Sequence, residues 1–154
     1  HLLCFDIDRS VAVARAIKEE IENTPLIIKI AYFEDDANLE RFVKEIGQVV
    51  DGISAINTIA AEIVDQDGAQ ALPGEGRSRS GVCGHSIKWA GIDMVKKLKM
   101  LREKLGYSYT IIGVGGVTTV DDFMEYREAG ADAVLSATGA MWNPYLAKDI
   151  KNNL

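Results

Sequence analysis

The run Leu26–Ala31, LIIKIA, is apolar except for Lys29. A lysine inside such a run must either pair its ammonium with a carboxylate or face a ligand, because an isolated buried charge is too costly to keep. The neighbouring apolar runs GISAINT (52–58) and YTIIGV (109–114) hold no acidic residue that could oppose it, so the ligand reading is favoured. In that role Lys29 would serve as a Schiff-base nucleophile or as an electrostatic clamp on an anion.

Three other places carry residue types suited to binding. Gly115-Gly116 follows YTIIGV, and glycines at a strand-to-helix passage let backbone N–H groups approach phosphate oxygens. Thr138, between Ala137 and Gly139, adds a hydroxyl after the next apolar run. An isolated glycine pair would only ease a tight turn, but the pair, the ATG turn and the helix between them favour a phosphate. Ile56-Asn57-Thr58 ends another run, and its amide and hydroxyl can hydrogen-bond a planar polar ligand as readily as they can start a turn. Gly81 and Gly84 can bring one more loop to the same ligand.

These residues need a scaffold that delivers strand ends to one place. Val11, Ala14, Ile17 and Ile21 recur at helical spacing, behind a cap at Asp8 or Ser10. LIIKIA reads as a strand buried on both faces. Leu39, Phe42, Val43, Ile46 and Val50 mark a second helix capped by Asp35 or Asp36. GISAINT reads as the next strand, and residues 59–84 as a long polar loop of the kind that is functional or mobile. A helix from Trp89 stopping at Gly106, the strand YTIIGV, the helix TVDDFMEYREAG, the strand ADAVLSA and a last helix through YLAKDIKNN complete the chain. One helix followed by four βα units predicts an α/β fold with a parallel sheet and right-handed crossovers. A whole (β/α)8 barrel needs about 250 residues, so 154 residues correspond to half of one, a single partial domain. Its open sheet edges invite pairing, with a missing barrel half or with a second copy.

Composition narrows the function. The chain is 47% hydrophobic and 26% charged with net charge −6 and no basic run, so nucleic acid is not an expected partner. Neither a membrane span nor a signal peptide is expected, and the chain reads as cytoplasmic. Cys4 and Cys83 form no disulfide framework, which fits a reducing compartment. Cys83 and His85 lack two further ligands for zinc, and DQDG at Asp65 lacks the ligands of a calcium loop. No metal is expected.

IIKI, INT, GVCG, GVGGVTTVDDFMEYREAGADAV and the Ala137-Thr138 turn, taken in order, resemble the C-terminal half of the dihydroorotate dehydrogenases. The resemblance runs from about Leu2 to Pro144 and covers strands 5 to 8 of a TIM barrel. It implies FMN as cofactor and oxidation of (S)-dihydroorotate to orotate in pyrimidine biosynthesis. Carried onto this sequence, it gives Lys29 to the flavin N1 and O2 edge, Ile56 to the flavin ring, and Asn57 and Thr58 to the substrate ring. Gly84, Gly115, Gly116, Ala137 and Thr138 fall on cofactor-binding positions. Ser80 stands where the family has glycine, Ala137 replaces the glycine before the threonine, and GVCGHSIKW lacks a proline common there. The family's catalytic Cys or Ser base would lie before His1, so no catalytic base is expected in these residues. The electron acceptor, which in some members is a partner subunit, is not encoded in this segment. The alternatives are a non-catalytic half-barrel that binds a phosphorylated ligand or a partner chain, and another FMN barrel such as a dihydropyrimidine dehydrogenase.

Overall fold

The computed structural model describes residues 2–154. A 3₁₀ turn at Leu3–Phe5 leads into helix α1, Ile7–Ile21, whose cap is Asp6, accepting a hydrogen bond from the Arg9 amide at 3.1 Å. The expected caps, Asp8 and Ser10, lie inside the helix. The Ser10 hydroxyl donates back to the Leu3 carbonyl at 2.7 Å instead. Strand β1, Ile27–Ile30, is followed by helix α2, Asp36–Ile46, capped by Asp35, which accepts from the Ala37 amide at 2.8 Å. Strand β2, Gly52–Ala55, comes next.

Residues 59–84, expected to be an irregular loop, contain strands β3, Ile59–Glu62, and β4, Arg79–Val82, paired antiparallel with Ala60 opposite Gly81. Apart from the Ile59–Val82 pair, half-buried against the core, their side chains are small or charged and bury little, so the hydrophobic alternation that announces a strand is faint here. At the far end, the Asp65 carboxylate accepts from the Asp67 and Ala69 amides, both at 2.9 Å, and closes a turn. A second 3₁₀ turn, His85–Ile87, opens helix α3, Lys88–Leu105, which stops at Gly106 in a left-handed conformation (φ 67°). Strand β5, Thr110–Val114, helix α4, Val120–Ala129, and strand β6, Ala133–Leu135, follow. The expected single last helix is two, α5 (Thr138–Trp142) and α6 (Leu146–Asn152). Pro144 lies between them, and a residue without an N–H cannot continue a helix.

The four-stranded sheet runs β1-β2-β5-β6 and is parallel throughout. One face is closed. Ile30, Ile53, Ala55 and Ile111 pack into a core with Leu39, Phe42, Val43 and Ile46 of α2 and Met94, Val95 and Leu98 of α3. The other face is open, which corrects the reading of LIIKIA as buried on both sides: Ile27 is 51% exposed, Lys29 is exposed, and Leu135 on β6 is 51% exposed. This is the face that points to the axis of a barrel, and β1 and β6 are its free edges.

Close approach of α3 and α4 to the sheet is set by Tyr126, which is fully buried. Its ring occupies the space that a side chain would take at Gly113 of β5 and at Gly91 of α3. A Cβ at Gly91 would also lie 2.9 Å from the Val114 carbonyl oxygen, so neither neighbour can retreat cheaply. In a polypeptide carrying the complete barrel, Gly91→Ala is expected to lower unfolding free energy by about 1–3 kcal/mol in chemical denaturation. Met100→Ala, on the exposed side of the same helix (59% exposed), should stay within about 0.5 kcal/mol of wild type.

Candidate functional site

Parallel register places the carboxyl ends of β1, β2, β5 and β6 along one rim, where α/β folds gather their ligands. A cavity of about 240 Å³ opens there. Its wall includes Lys29 from β1, Ile56, Asn57 and Thr58 after β2, Gly84 before α3, Gly115 and Gly116 after β5, and Ala137 and Thr138 after β6. The nine positions that the family resemblance gives to cofactor and substrate therefore meet at one place, whereas Gly81 lies outside the cavity wall. Those not singled out include Cys83, Val117, Ser136 and Gly139.

Backbone bonds hold the strand ends together. The Asn57 amide donates to the Ile30 carbonyl at 2.8 Å and the Ile56 amide to the Val114 carbonyl at 3.0 Å. Thr58 sits against Gly81, where any side chain would overlap its hydroxyl. Gly81, a glycine that by sequence could bring its loop to the ligand, lies off the cavity wall, and its structural effect is to leave room for Thr58.

The loop after β5 needs both of its glycines. Gly115 and Gly116 have φ of +131° and +69°, values that side-chain-bearing residues rarely adopt. A Cβ at Gly116 would also lie 2.9 Å from the Gly84 carbonyl oxygen and from the His85 α-carbon. Its absence is what lets the two loops meet. Gly139 plays the same part against Val117 and Thr118, and the Ser136 hydroxyl donates to the Val117 carbonyl at 2.7 Å. The Gly116 N–H donates to no backbone carbonyl among the described residues and remains available at the cavity wall.

Beneath this loop lies a network that carries only a local signal in sequence, the Thr-x-x-Asp of a helix start. Asp122 is 4% exposed. One of its oxygens accepts from the Thr118 amide (2.9 Å), the Thr118 hydroxyl (2.8 Å) and the Thr119 amide (3.0 Å). The other accepts from Lys88 Nζ at 2.7 Å, and Lys88 also pairs with Glu125 at 2.9 Å. The Thr119 hydroxyl oxygen in turn accepts from the Asp122 amide at 3.1 Å, completing a capping box. Burial pushes the Asp122 carboxyl up, but the hydrogen bonds from Lys88, Thr118 and Thr119 outweigh it and hold the group well below the ordinary carboxylate range. The bonds to Asp122 and Glu125 raise Lys88 in turn. Tyr126, kept a neutral phenol by burial, donates to the Gly115 carbonyl at 2.7 Å. Carboxylate, ammonium and phenol thus pin both ends of the Gly115–Thr119 loop.

Lys29 makes no ion pair among the described residues, in contrast to Lys18, Lys88, Lys97 and Lys104. Its ammonium is the cationic group on the cavity wall.

A half-ring of parallel strands with glycine loops and one lysine at its carboxyl rim defines this chain as part of an α/β barrel. The family model of dihydroorotate dehydrogenase matches residues 6–154, and the chain belongs to that family. It is 34% identical over 133 residues to a dihydroorotate dehydrogenase of Dictyostelium discoideum, covering 86% of this chain and 36% of that one. It is 30% identical over 139 residues to the catalytic subunit of the NAD(+)-type dihydroorotate dehydrogenase B of Oceanobacillus iheyensis, covering 90% and 43%. Two structures of the Eimeria tenella enzyme, one with ferulenol and one ligand-free, superpose with TM-scores of 0.74 and 0.75 at 21% and 20% identity. They show the barrel fold, and the match covers 95% of this chain and 43% and 44% of those. The chain thus spans less than half the length of these relatives.

Because the native Asp122 carboxyl is held low, its stabilisation is complete above the ordinary carboxylate range and fades as pH falls below about 4. Asp122→Ala, which leaves Lys88 with Glu125 alone and takes the acceptor from two amides and the Thr118 hydroxyl, should cost about 3 kcal/mol at neutral pH. In pH-dependent denaturation of the complete barrel, the gap between variant and wild type should narrow towards acid.

Proposed function

We propose that this chain is the flavin-phosphate half of an FMN-dependent enzyme that oxidises (S)-dihydroorotate to orotate in pyrimidine biosynthesis. The observation that carries the reading is convergence. In a chain of this family, Lys29, Asn57, Gly115, Gly116 and Thr138 from four parallel strand ends and Gly84 from the loop before α3 arrive at one cavity.

The donor set fits FMN. A phosphate needs N–H donors with room to approach, and the interlocked glycine loops bring Gly116 and Thr138 to the wall of the same cavity. Gly84, with nothing within 4 Å of a notional Cβ, leaves space on the same wall. Ile56 would pack against the ring, and Lys29 would face its N1 and O2 edge, where a positive charge favours electron uptake. When bound, the flavin supplies the two-electron acceptor that no side chain can provide. Asn57 and Thr58 would orient the planar substrate by hydrogen bonds, and the Asn57 backbone is already fixed by its bond to Ile30. The base that removes the substrate proton belongs to residues before position 1, so this segment binds and positions but does not complete the reaction. That same upstream half would close the open face carrying Ile27 and Leu135, since the relatives are more than twice as long.

Among the described residues no helix is long and apolar enough to cross a membrane. Both cysteines are free thiols, which suits a reducing cytoplasm. Some relatives are named catalytic subunits of an NAD(+)-type enzyme. An electron-transfer subunit would be this protein's partner if it is of that type.

The test is flavin content and reduction in the complete polypeptide. Bound FMN should be reduced by dihydroorotate and not by dihydrouracil. A protein that purifies colourless and gains no flavin spectrum with added FMN would refute the reading, and reduction by dihydrouracil would move it to another FMN barrel. Lys29→Ala should slow flavin reduction by roughly 100-fold in stopped flow while leaving the barrel folded.

A further inference from the structure

Ser54 is the second polar residue on the open face of the sheet near the cavity. It lies on β2, two residues before Ile56, and is only 5% exposed. Its hydroxyl has no hydrogen-bond partner among the described residues. It is the one buried side-chain polar atom there without a partner, and leaving such a group unsatisfied is costly. Alanine would fill the same place without that cost.

The sheet register says what the hydroxyl faces. Ser54 is the partner of Lys29 on β1 and of Ile112 on β5. In a parallel pair, aligned residues project to the same side, so Ser54 sits in one layer between an ammonium and an alkyl side chain. Ile112 offers it no polar atom. Lys29 offers three N–H donors and, among the described residues, has no ion-pair partner of its own.

We propose that Ser54 is a positioning residue for Lys29: with FMN in place, its hydroxyl oxygen accepts one of the three ammonium N–H bonds and leaves the other two aimed at the flavin ring edge. The inference rests on the flavin reading above. A flexible four-carbon lysine stem otherwise spreads its charge over many rotamers, which weakens any directed contact. Fixing one N–H on the strand next door narrows that spread.

The experiment compares wild type, Ser54→Ala, Lys29→Ala and the double variant in the complete flavin-binding polypeptide. FMN dissociation constants are read by fluorescence and flavin midpoint potentials by spectroelectrochemistry, neither of which depends on turnover. Without FMN, Ser54→Ala should fold at least as stably as wild type, since it removes an unsatisfied buried hydroxyl. It should nevertheless bind FMN roughly threefold to tenfold more weakly, the worth of one hydrogen bond, and its potential should fall. In the Lys29→Ala background, Ser54→Ala should add nothing to either quantity. Wild-type affinity and potential in Ser54→Ala would overturn the inference while leaving the flavin site standing, and so would a full Ser54 effect that persists without Lys29. A wild-type polypeptide that takes up no FMN would overturn the flavin site and this inference together.

Discussion

Parallel pairing in one register is the constraint from which the rest of this molecule follows. Ile30, Ala55 and Gly113 are aligned across three strands, and Val114 is aligned with Leu135 on the fourth. Four chain segments consequently leave the sheet at the same level and in the same direction. Every loop that follows a strand is delivered to one rim, and every helix returns along the opposite face. The same pairing buries one side of the sheet against α2 and α3 and leaves the other as the inner wall of a barrel.

Within that frame, loops of adjacent units must approach more closely than side chains allow. Glycine answers this at Gly81, Gly116 and Gly139, each filled by an atom of a neighbouring segment. Holding such loops in place falls to polar groups beneath them. Asp122 gathers two backbone amides, a hydroxyl and Lys88 at the start of α4, while the Tyr126 phenol holds the Gly115 carbonyl. A capping box, an ion pair across α3 and α4, and a buried tyrosine that spaces both helices from β5 are parts of one device. It lets a glycine loop keep a definite shape without side chains of its own.

Much of this was legible in the chain. The apolar runs and helical periodicity mark the βα order, and the strand ends mark the residues that line the cavity, because in a parallel fold position along the strand largely decides where a residue goes. Less legible were features that depend on sequence-distant partners. The ribbon of β3 and β4 has only the Ile59–Val82 pair to pack against the core and otherwise exists through its pairing. Asp6 rather than Asp8 or Ser10 caps α1, because the Leu3–Phe5 turn fixes where the helix begins and turns Ser10 back to Leu3. The exposure of Lys29 could not be read from LIIKIA, since burial of a strand face depends on what is stacked over it.

Sequence by itself determined the α/β class, the half-barrel length, the family and the short set of polar and glycine residues at strand ends. These are local or periodic properties, carried by residue type and spacing. Tertiary structure decided that nine of those residues share one cavity, that Asp122, Lys88 and Tyr126 shape its glycine loop, and that Ser54 lies beside Lys29. Those are relations between positions from 11 to more than 80 residues apart, and only the folded sheet and the helices packed on it bring them within reach of one another.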